Sequence, residues 1–329
     1  MEVLRVDGLG EVLEGQDLAA LLVGAADLRD GDVLVVAQKI VSKSEGAFLD
    51  LRPGEAPAEG RRRLARERAA RVVVDADRVL VVATRRGFVC ANAGIDASNV
   101  PGGRLVDLPA DPDASARRLR DGIRALAGVE VGVVVADTFG RAWRRGQTDV
   151  AIGLAGLPAV RDERGTMDRQ GNLLEVTETA IADALAAAAD LVRHKADGVP
   201  AVVVRGSGLV DGADAGAAVL VRPLAEDLFP HGRGWLAAAL AGAVAPERAG
   251  PPSAEDMSRA VDAARLAAQG VEITVIGPDE VTVRAADPVA AGFAGGLLVA
   301  ALLDLGYRAR WTGDRVLAHE GHGGSDNDR

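Results

Sequence analysis

A chain of 329 residues, 48% hydrophobic and 26% charged, is long enough for two domains and has the composition of an ordinary globular protein, which excludes extended disorder. Its net charge of −10 argues against bulk affinity for nucleic acid or anionic membrane, so a polyanionic substrate has to be met by local basic side chains or by metal ions. No apolar run is long enough to span a bilayer, and the start MEVLRVDGLGEVLEGQ lacks the basic-then-apolar order of a secretory signal, so a cytoplasmic protein is expected.

In chain order, Val3 to Val6 is a short strand candidate, and Asp17 to Leu28 has helical apolar spacing before the turn Arg29-Asp30-Gly31-Asp32. Val33 to Ala37 is a continuous apolar run that predicts a buried strand, and QKIVSKSEG follows it as a polar segment where ligand loops commonly sit. Pro57 to Arg71 reads as a helix whose arginine-rich face is solvated rather than phosphate-binding. Arg78 to Ala83 is a further strand, leading to FVCANAGIDASNVPGG. The one cysteine, Cys90, cannot form an intrachain disulfide and reads as a small buried apolar residue. An amphipathic helix is expected over Asp113 to Ala127, and a buried strand over Val131 to Ala136 that runs directly into DTFGRAWRRGQTDVAIGLAGL.

Asp162 to Leu174 contains a turn, Thr177 to His194 is an alanine-rich helix, and Val202 to Arg205 is a strand before the loop GSGLVDGADAG. This alternation implies an α/β sheet. ALAGAVAPERAGPPS, from Ala239 to Ser253, has the composition of a linker. Beyond it come a helix over Ala254 to Gln269, strands over Glu272 to Ile276 and Glu280 to Arg284, a helix over Ala290 to Leu305 and a strand pair over Arg308 to His319, which make a small α+β domain with a polar tail. Ile273, Val275, Val281, Val283, Leu297, Leu298, Leu302 and Leu303 are its expected core.

Three constellations carry chemistry. Asp137 and Thr138 stand at the mouth of a predicted strand, with Asp96 and Asn99 at the end of another segment; two carboxylates and a hydroxyl make a hard-oxygen site for Mg²⁺ or Mn²⁺. From spacing alone a helix-cap or turn role is the commoner one for an aspartate that follows a strand. Arg141, Arg144 and Arg145, with Gln147, Thr148 and Asp149, form either an anion grip, helped by close backbone approach at Gly140 and Gly146, or a solvated turn. Trp143 among them is a stacking platform or a core aromatic. Lys39, Ser42 and Lys43 in QKIVSKSEG could cradle phosphates, although neither GxxxxGK[ST] nor a strand-linked GxGxxG occurs. The loop Gly206-Ser207-Gly208 with Asp211 and Gly212 is a less specific phosphate or base candidate. No GxSxG is present, and His194, His231, His319 and His322 lie away from these motifs.

Taken together, VVAQKIVSKSEG, AGIDASNV, DTFGRAWRRGQTDVAIG and VTETAIADALAAAADLV resemble, in order and spacing, the coenzyme F420-0:L-glutamate ligase (F420 γ-glutamyl ligase) family, close to the N-terminal ligase domain of the actinobacterial bifunctional enzyme. The resemblance covers residues 1–248 and implies an α/β fold of the γ-glutamyl ligase type, followed by the α+β domain at 254–329. It implies a homodimer that uses GTP as co-substrate with Mg²⁺ or Mn²⁺, and K⁺ as a further candidate ion. By it, Asp96, Asp137 and Thr138 would hold metal, while Leu9, Gly10, Glu11, Val12, Gln38, Lys43 and Asn99 would contact GTP. Gln38 stands where many relatives carry Ser or Thr, and the segment Leu9 to Val12 lacks their usual proline. The 254–329 segment is too short for the flavin-binding domain that often follows the ligase domain in actinobacterial relatives.

The activity so implied is addition of L-glutamate to the deazaflavin precursor F420-0 through an acyl phosphate, with further glutamates as an extension. Arg141, Arg144 and Arg145 are the candidates for gripping substrate phosphodiester or carboxylates. The alternatives are γ-glutamyl ligation of another carboxylate metabolite and a nucleotide-binding regulator without turnover.

Overall fold

The computed structural model describes residues 1–76, 79–100, 103–193, 197–223, 226–228, 252–267, 271–285, 288–304, 308–311 and 315–319. The chain divides into two compact units, Met1–Pro230 and His231–Arg329. The expected linker falls almost wholly outside the described residues, as do His194, His231 and His322.

The first unit is built on a five-stranded sheet of β1 (Glu2–Arg5), β2 (Val33–Ala37), β8 (Gly132–Arg141), β9 (Arg144–Ala155) and β12 (Ala201–Arg205), in the order β1-β12-β2-β8-β9. Only β2 and β8 pair in parallel. Their runs VLVV and VVVA are buried throughout, because the sheet is covered on both faces. One apolar layer joins Leu34, Val36, Val133 and Val135 to Leu22 of α1 (Leu18–Ala25) and Ile123 of α4 (Pro112–Ala127). The other joins Val33, Val35, Val134, Val202 and Val204 to Ile181 and Leu185 of α5 (Ile181–Asp190). Local signals set the helix ends. Asp17 caps α1 by accepting from the Ala20 amide at 3.1 Å, and Asp111 caps α4 through Ala114 at 3.0 Å, with Pro112 in the first turn. Gly128, at φ +70°, closes α4 in the left-handed conformation.

A smaller layer holds α3 (Pro57–Arg68) against the antiparallel strands β4 (Ala69–Ala76), β5 (Val79–Thr84) and β6 (Val89–Ala91), with a two-stranded pair of β3 (Phe48–Leu49) and β7 (Leu105–Val106) beside them. The expected helix over 57–71 therefore stops three residues early, where the β-branched run Val72-Val73-Val74 pairs with β5. Its basic face is matched by acids: Arg63 bridges to Glu55 at 2.8 Å, Arg66 to Asp75 at 2.6 Å and Arg68 to Asp107 at 2.7 Å. The alanine-rich helix is likewise shorter than expected. Residues Glu178–Ala180 form β11, paired with β10 (Val160–Asp162), before α5 begins.

In the second unit, α6 (Ala254–Ala267) and α7 (Pro288–Asp304) cover an antiparallel sheet of β13 (Val271–Val275), β14 (Glu280–Ala285), β15 (Arg308–Trp311) and β16 (Arg315–His319), ordered β13-β14-β16-β15. Ile273, Val281, Val283, Leu298 and Leu302 are buried as expected, and Leu297 packs at the margin; Val275, at the strand end, is exposed. The Leu303 side chain lies outside the described residues. Among the described residues, no helix is long and apolar enough to cross a membrane.

Candidate functional site

The parallel pairing of β2 with β8 stops at Ala37 and Ala136, where β2 ends, and the segments around that point line a cavity of about 890 Å³. This is the carboxyl edge at which parallel strands present ligand loops. Gly10, Glu11, Val12, Gln38, Lys43, Asp96, Asn99, Asp137 and Thr138 all line it. Four regions far apart in sequence thus converge on one volume.

The segment after β2 is not a loop. Gln38–Ser44 forms a seven-residue helix, α2, in which Ile40 and Val41 enter the core and the polar Gln38, Ser42 and Lys43 are also buried. Gln38 accepts from the Ser42 hydroxyl one turn later, at 2.9 Å, so the buried amide is engaged within its own helix. Lys43 carries a nearly inaccessible side chain that ion-pairs with Glu11, itself more than half exposed. Lys39 reaches across to the next segment. Its ammonium lies 2.6 Å from the Asp96 carboxylate and donates to the Ser98 carbonyl at 2.8 Å and hydroxyl at 2.7 Å.

Asp96 is fixed from both sides. Its backbone bridges to Val106 through bonds of 3.0 and 2.9 Å, and its carboxylate accepts the amides of Ala97 and Ser98 at 2.7 and 2.9 Å. Burial works against the charged form, but the Lys39 ammonium and the Ser98 donors outweigh it and hold this carboxyl below its ordinary value of 3.8. Asn99 follows at φ +54°, a left-handed conformation that asparagine accepts more readily than most residues.

Asp137 and Thr138 lie on β8, which does not end where the apolar run stops but continues to Arg141 and turns through Ala142 and Trp143 into β9. Thr138 faces Asp149 across the hairpin, and its hydroxyl donates to the Asp149 carboxylate at 2.7 Å. Asp149 is fully buried and ion-paired with Arg193, which follows α5 and lines the same cavity. Cys90 also lines the wall; burial, with the Asp137 charge adding, pushes its thiol up to about 12, which leaves it a protonated, unreactive group.

Asp96, Asp137 and Thr138 offer a cation two carboxylates and a hydroxyl. Among the described residues, no group of three or more His, Cys, Asp or Glu is placed to hold a metal. The set is therefore too sparse for an all-protein cage, yet it fits Mg²⁺ or Mn²⁺, hard ions whose remaining positions water and substrate phosphates fill.

Four expected residues stand elsewhere. Leu9 packs against the core beside the cavity rather than lining it. Arg141, Arg144 and Arg145 sit exposed at the β8–β9 hairpin tip, with the Arg141 guanidinium donating to the Arg145 carbonyl at 2.6 Å; Gly140 and Gln147, from the same hairpin, do reach the cavity wall. Trp143 is exposed, so it is not a core aromatic. The glycine-rich loop after β12 falls at the opposite end of the sheet, because β12 runs antiparallel to β2. What that antiparallel strand brings to the cavity is its beginning, Gly198 to Pro200, and with it Asp190 and Arg193. Sequence reasoning missed these; a lone arginine after an alanine-rich helix was the only signal.

Residues 8–206 match the family described as F420-0:Gamma-glutamyl ligase. A Coenzyme F420:L-glutamate ligase of Haloarcula marismortui is 48% identical over 62% of this chain and 87% of its own length. Proteins of the same name from Methanopyrus kandleri and Methanothermobacter thermautotrophicus are 44% and 39% identical, over 60% and 70% of this chain and 83% and 98% of theirs.

Proposed function

Because the chain belongs to the F420-0:gamma-glutamyl ligase family, we propose that it joins L-glutamate to coenzyme F420-0 at the expense of GTP, through an acyl phosphate. The observation that carries this reading is the convergence of Glu11, Lys43, Asp96, Asn99, Asp137 and Thr138 on one cavity. A free carboxylate is a poor acyl donor. Attack by the terminal carboxylate of F420-0 on the γ-phosphorus of GTP releases GDP and leaves a mixed anhydride; the glutamate amine then attacks the acyl carbon, phosphate departs and the amine loses a proton.

Most of the catalysis in such a transfer is positioning and charge stabilisation. A divalent cation held by Asp96, Asp137 and Thr138 would neutralise charge on the transferred phosphoryl group. Lys39 and Lys43 hold ammonium groups at the wall, suited to phosphate oxygens. Nucleotide reaching Lys43 exchanges places with Glu11, whose exposed side chain can swing away at little cost. Asn99 and the Gly10–Val12 segment supply polar and backbone contacts for the nucleotide. Arg141, Arg144 and Arg145 stand as candidates for anionic groups of F420-0 or glutamate outside the cavity proper.

The homodimer that the family resemblance implies is part of this reading, and the mass in solution tests it. For the activity, the chain is incubated with GTP, Mn²⁺, L-glutamate and glutamate-free F420-0. The expected products are GDP and a deazaflavin heavier by one glutamyl unit. Nucleotide binding with no GDP release would replace the enzyme with a regulator, and GDP release only with a different carboxylate acceptor would replace the substrate.

A further inference from the structure

Arg193, Asp149 and Thr138 come from three places in the chain and meet beside the cavity, whose wall Arg193 and Thr138 both reach while Asp149 is buried between them. Thr138 and Asp149 are cross-strand partners in the β8–β9 ladder. The Asp149 carboxylate is fully buried; one oxygen accepts the Thr138 hydroxyl proton at 2.7 Å and the other faces the Arg193 guanidinium, which is itself almost inaccessible. Burial lowers the Arg193 guanidinium from its ordinary value, with the Asp137 charge opposing the shift, but a guanidinium starts so high that it stays protonated. Two charges taken out of water in this way add little to stability on their own account, so the pair calls for another explanation.

We propose that Asp149, clamped by Arg193, is a positioning residue that sets the hydroxyl rotor of Thr138. The proposal rests on the reading of Thr138 as a cation ligand. A carboxylate has no proton to give, so Thr138 must spend its only proton on Asp149. Its oxygen is then left with lone pairs alone for the cavity, the form in which a hydroxyl can ligate Mg²⁺ or Mn²⁺. Arg193, ion-paired with the other oxygen, holds the Asp149 carboxylate in place. The arrangement resembles the outer-sphere carboxylates that orient metal ligands, whose removal weakens metal affinity by roughly 10–100-fold.

The informative substitution is Asp149→Asn. In the variant Arg193 claims the amide carbonyl, so the amide NH₂ turns to Thr138 and donates to its oxygen. The hydroxyl proton then has to point into the cavity, against a cation. The experiment measures Mn²⁺ dissociation constants by paramagnetic resonance of free Mn²⁺, in the presence of a non-hydrolysable GTP analogue, for the full chain and for Asp149→Asn, Thr138→Val and the double variant. Steady-state KM values for L-glutamate are measured in parallel.

We expect Asp149→Asn to weaken Mn²⁺ binding about tenfold, to leave the KM for glutamate within twofold, and to have no further effect in the Thr138→Val background. Additive losses in the double variant would overturn the proposal, since Asp149 would then act by a route that does not pass through Thr138. Unchanged Mn²⁺ binding in Thr138→Val would instead remove Thr138 from the cation site and sink the underlying reading. Asp149→Asn leaves the Arg193 charge unpaired, so a version carrying Arg193→Gln as well is made; if the single variant does not fold, this charge-balanced pair must show the same tenfold loss, and wild-type Mn²⁺ affinity in it overturns the proposal.

Discussion

Asp96→Asn separates the two jobs that the structure gives this carboxylate. One oxygen accepts the amides of Ala97 and Ser98, a bonding pattern an asparagine carbonyl reproduces. The other meets the Lys39 ammonium at 2.6 Å and the Ser98 hydroxyl at 3.1 Å, and there the variant presents an NH₂ group. Lys39 keeps its bonds to the Ser98 carbonyl and hydroxyl, so the loss amounts to one charge-assisted contact at a site about a third exposed. That is worth about 1 kcal/mol after discounting for solvent, or a fall in melting temperature of about 2–4 °C. The loss of function should be far larger. Removing one of two carboxylates from a cation site that stabilises a phosphoryl transfer costs several kcal/mol, and about 4 kcal/mol lowers kcat/KM about a thousandfold.

The assay pairs thermal melts with GTP-dependent glutamylation over a range of Mn²⁺ concentrations. A variant that melts within a few degrees of wild type and retains activity within about tenfold would refute the reasoning, and Asp96 would be only the organiser of its loop. Acid titration gives an independent check. The folded-state value lies below the ordinary 3.8, so Asp96 stabilises the fold above about pH 4, and this contribution disappears as pH falls through the folded-state value. Between pH 4 and complete acid unfolding, the stability of wild type should therefore fall more steeply than that of Asp96→Asn.

Arg144→Ala should raise the KM for F420-0 or L-glutamate about tenfold, the loss of one charge-assisted contact, while the melting temperature stays unchanged because the side chain is exposed; unchanged KM for both excludes it from substrate binding. Gly153→Ala is expected to destabilise the first unit by about 2–3 kcal/mol, since a Cβ there would stand 2.3 Å from the Pro112 carbonyl oxygen at the start of α4, and a wild-type melt would show that the helix can shift. A chain ending at Pro230 retains both apolar layers of the central sheet and every cavity residue, so it should keep measurable ligation; a soluble but inactive product would assign the second unit a part in the reaction.

Much of this was legible because apolar runs decide strands. Val33 to Ala37 and Val131 to Ala136 could only be buried, and Asp137, directly after the second run, had to stand where its strand leaves the core. The errors occurred where polar residues hide regular structure. In QKIVSKSEG the buried face of α2 includes Gln38, Ser42 and Lys43, so no apolar stripe marks the helix, and the i to i+4 bond between Ser42 and Gln38 takes its place. In DTFGRAWRRGQTDV the polar composition suggested a loop, yet backbone pairing between β8 and β9 carries both strands beyond the core to a two-residue turn. The same strand geometry explains the misreading of Asp149. Grouped with the arginines that precede it in sequence, it looked like part of an anion grip; in the ladder, Arg144 and Arg145 flank the turn, beyond the covered part of the sheet, and are exposed, while Asp149 lies four residues further in, opposite Thr138, and is buried. Its partner Arg193 is forty-four positions on, and only the packing of α5 against β9 brings the two together. A hairpin register and a helix contact, neither of which leaves a local sequence mark, therefore set the exposed arginines of the tip apart from the buried Arg193–Asp149–Thr138 contacts.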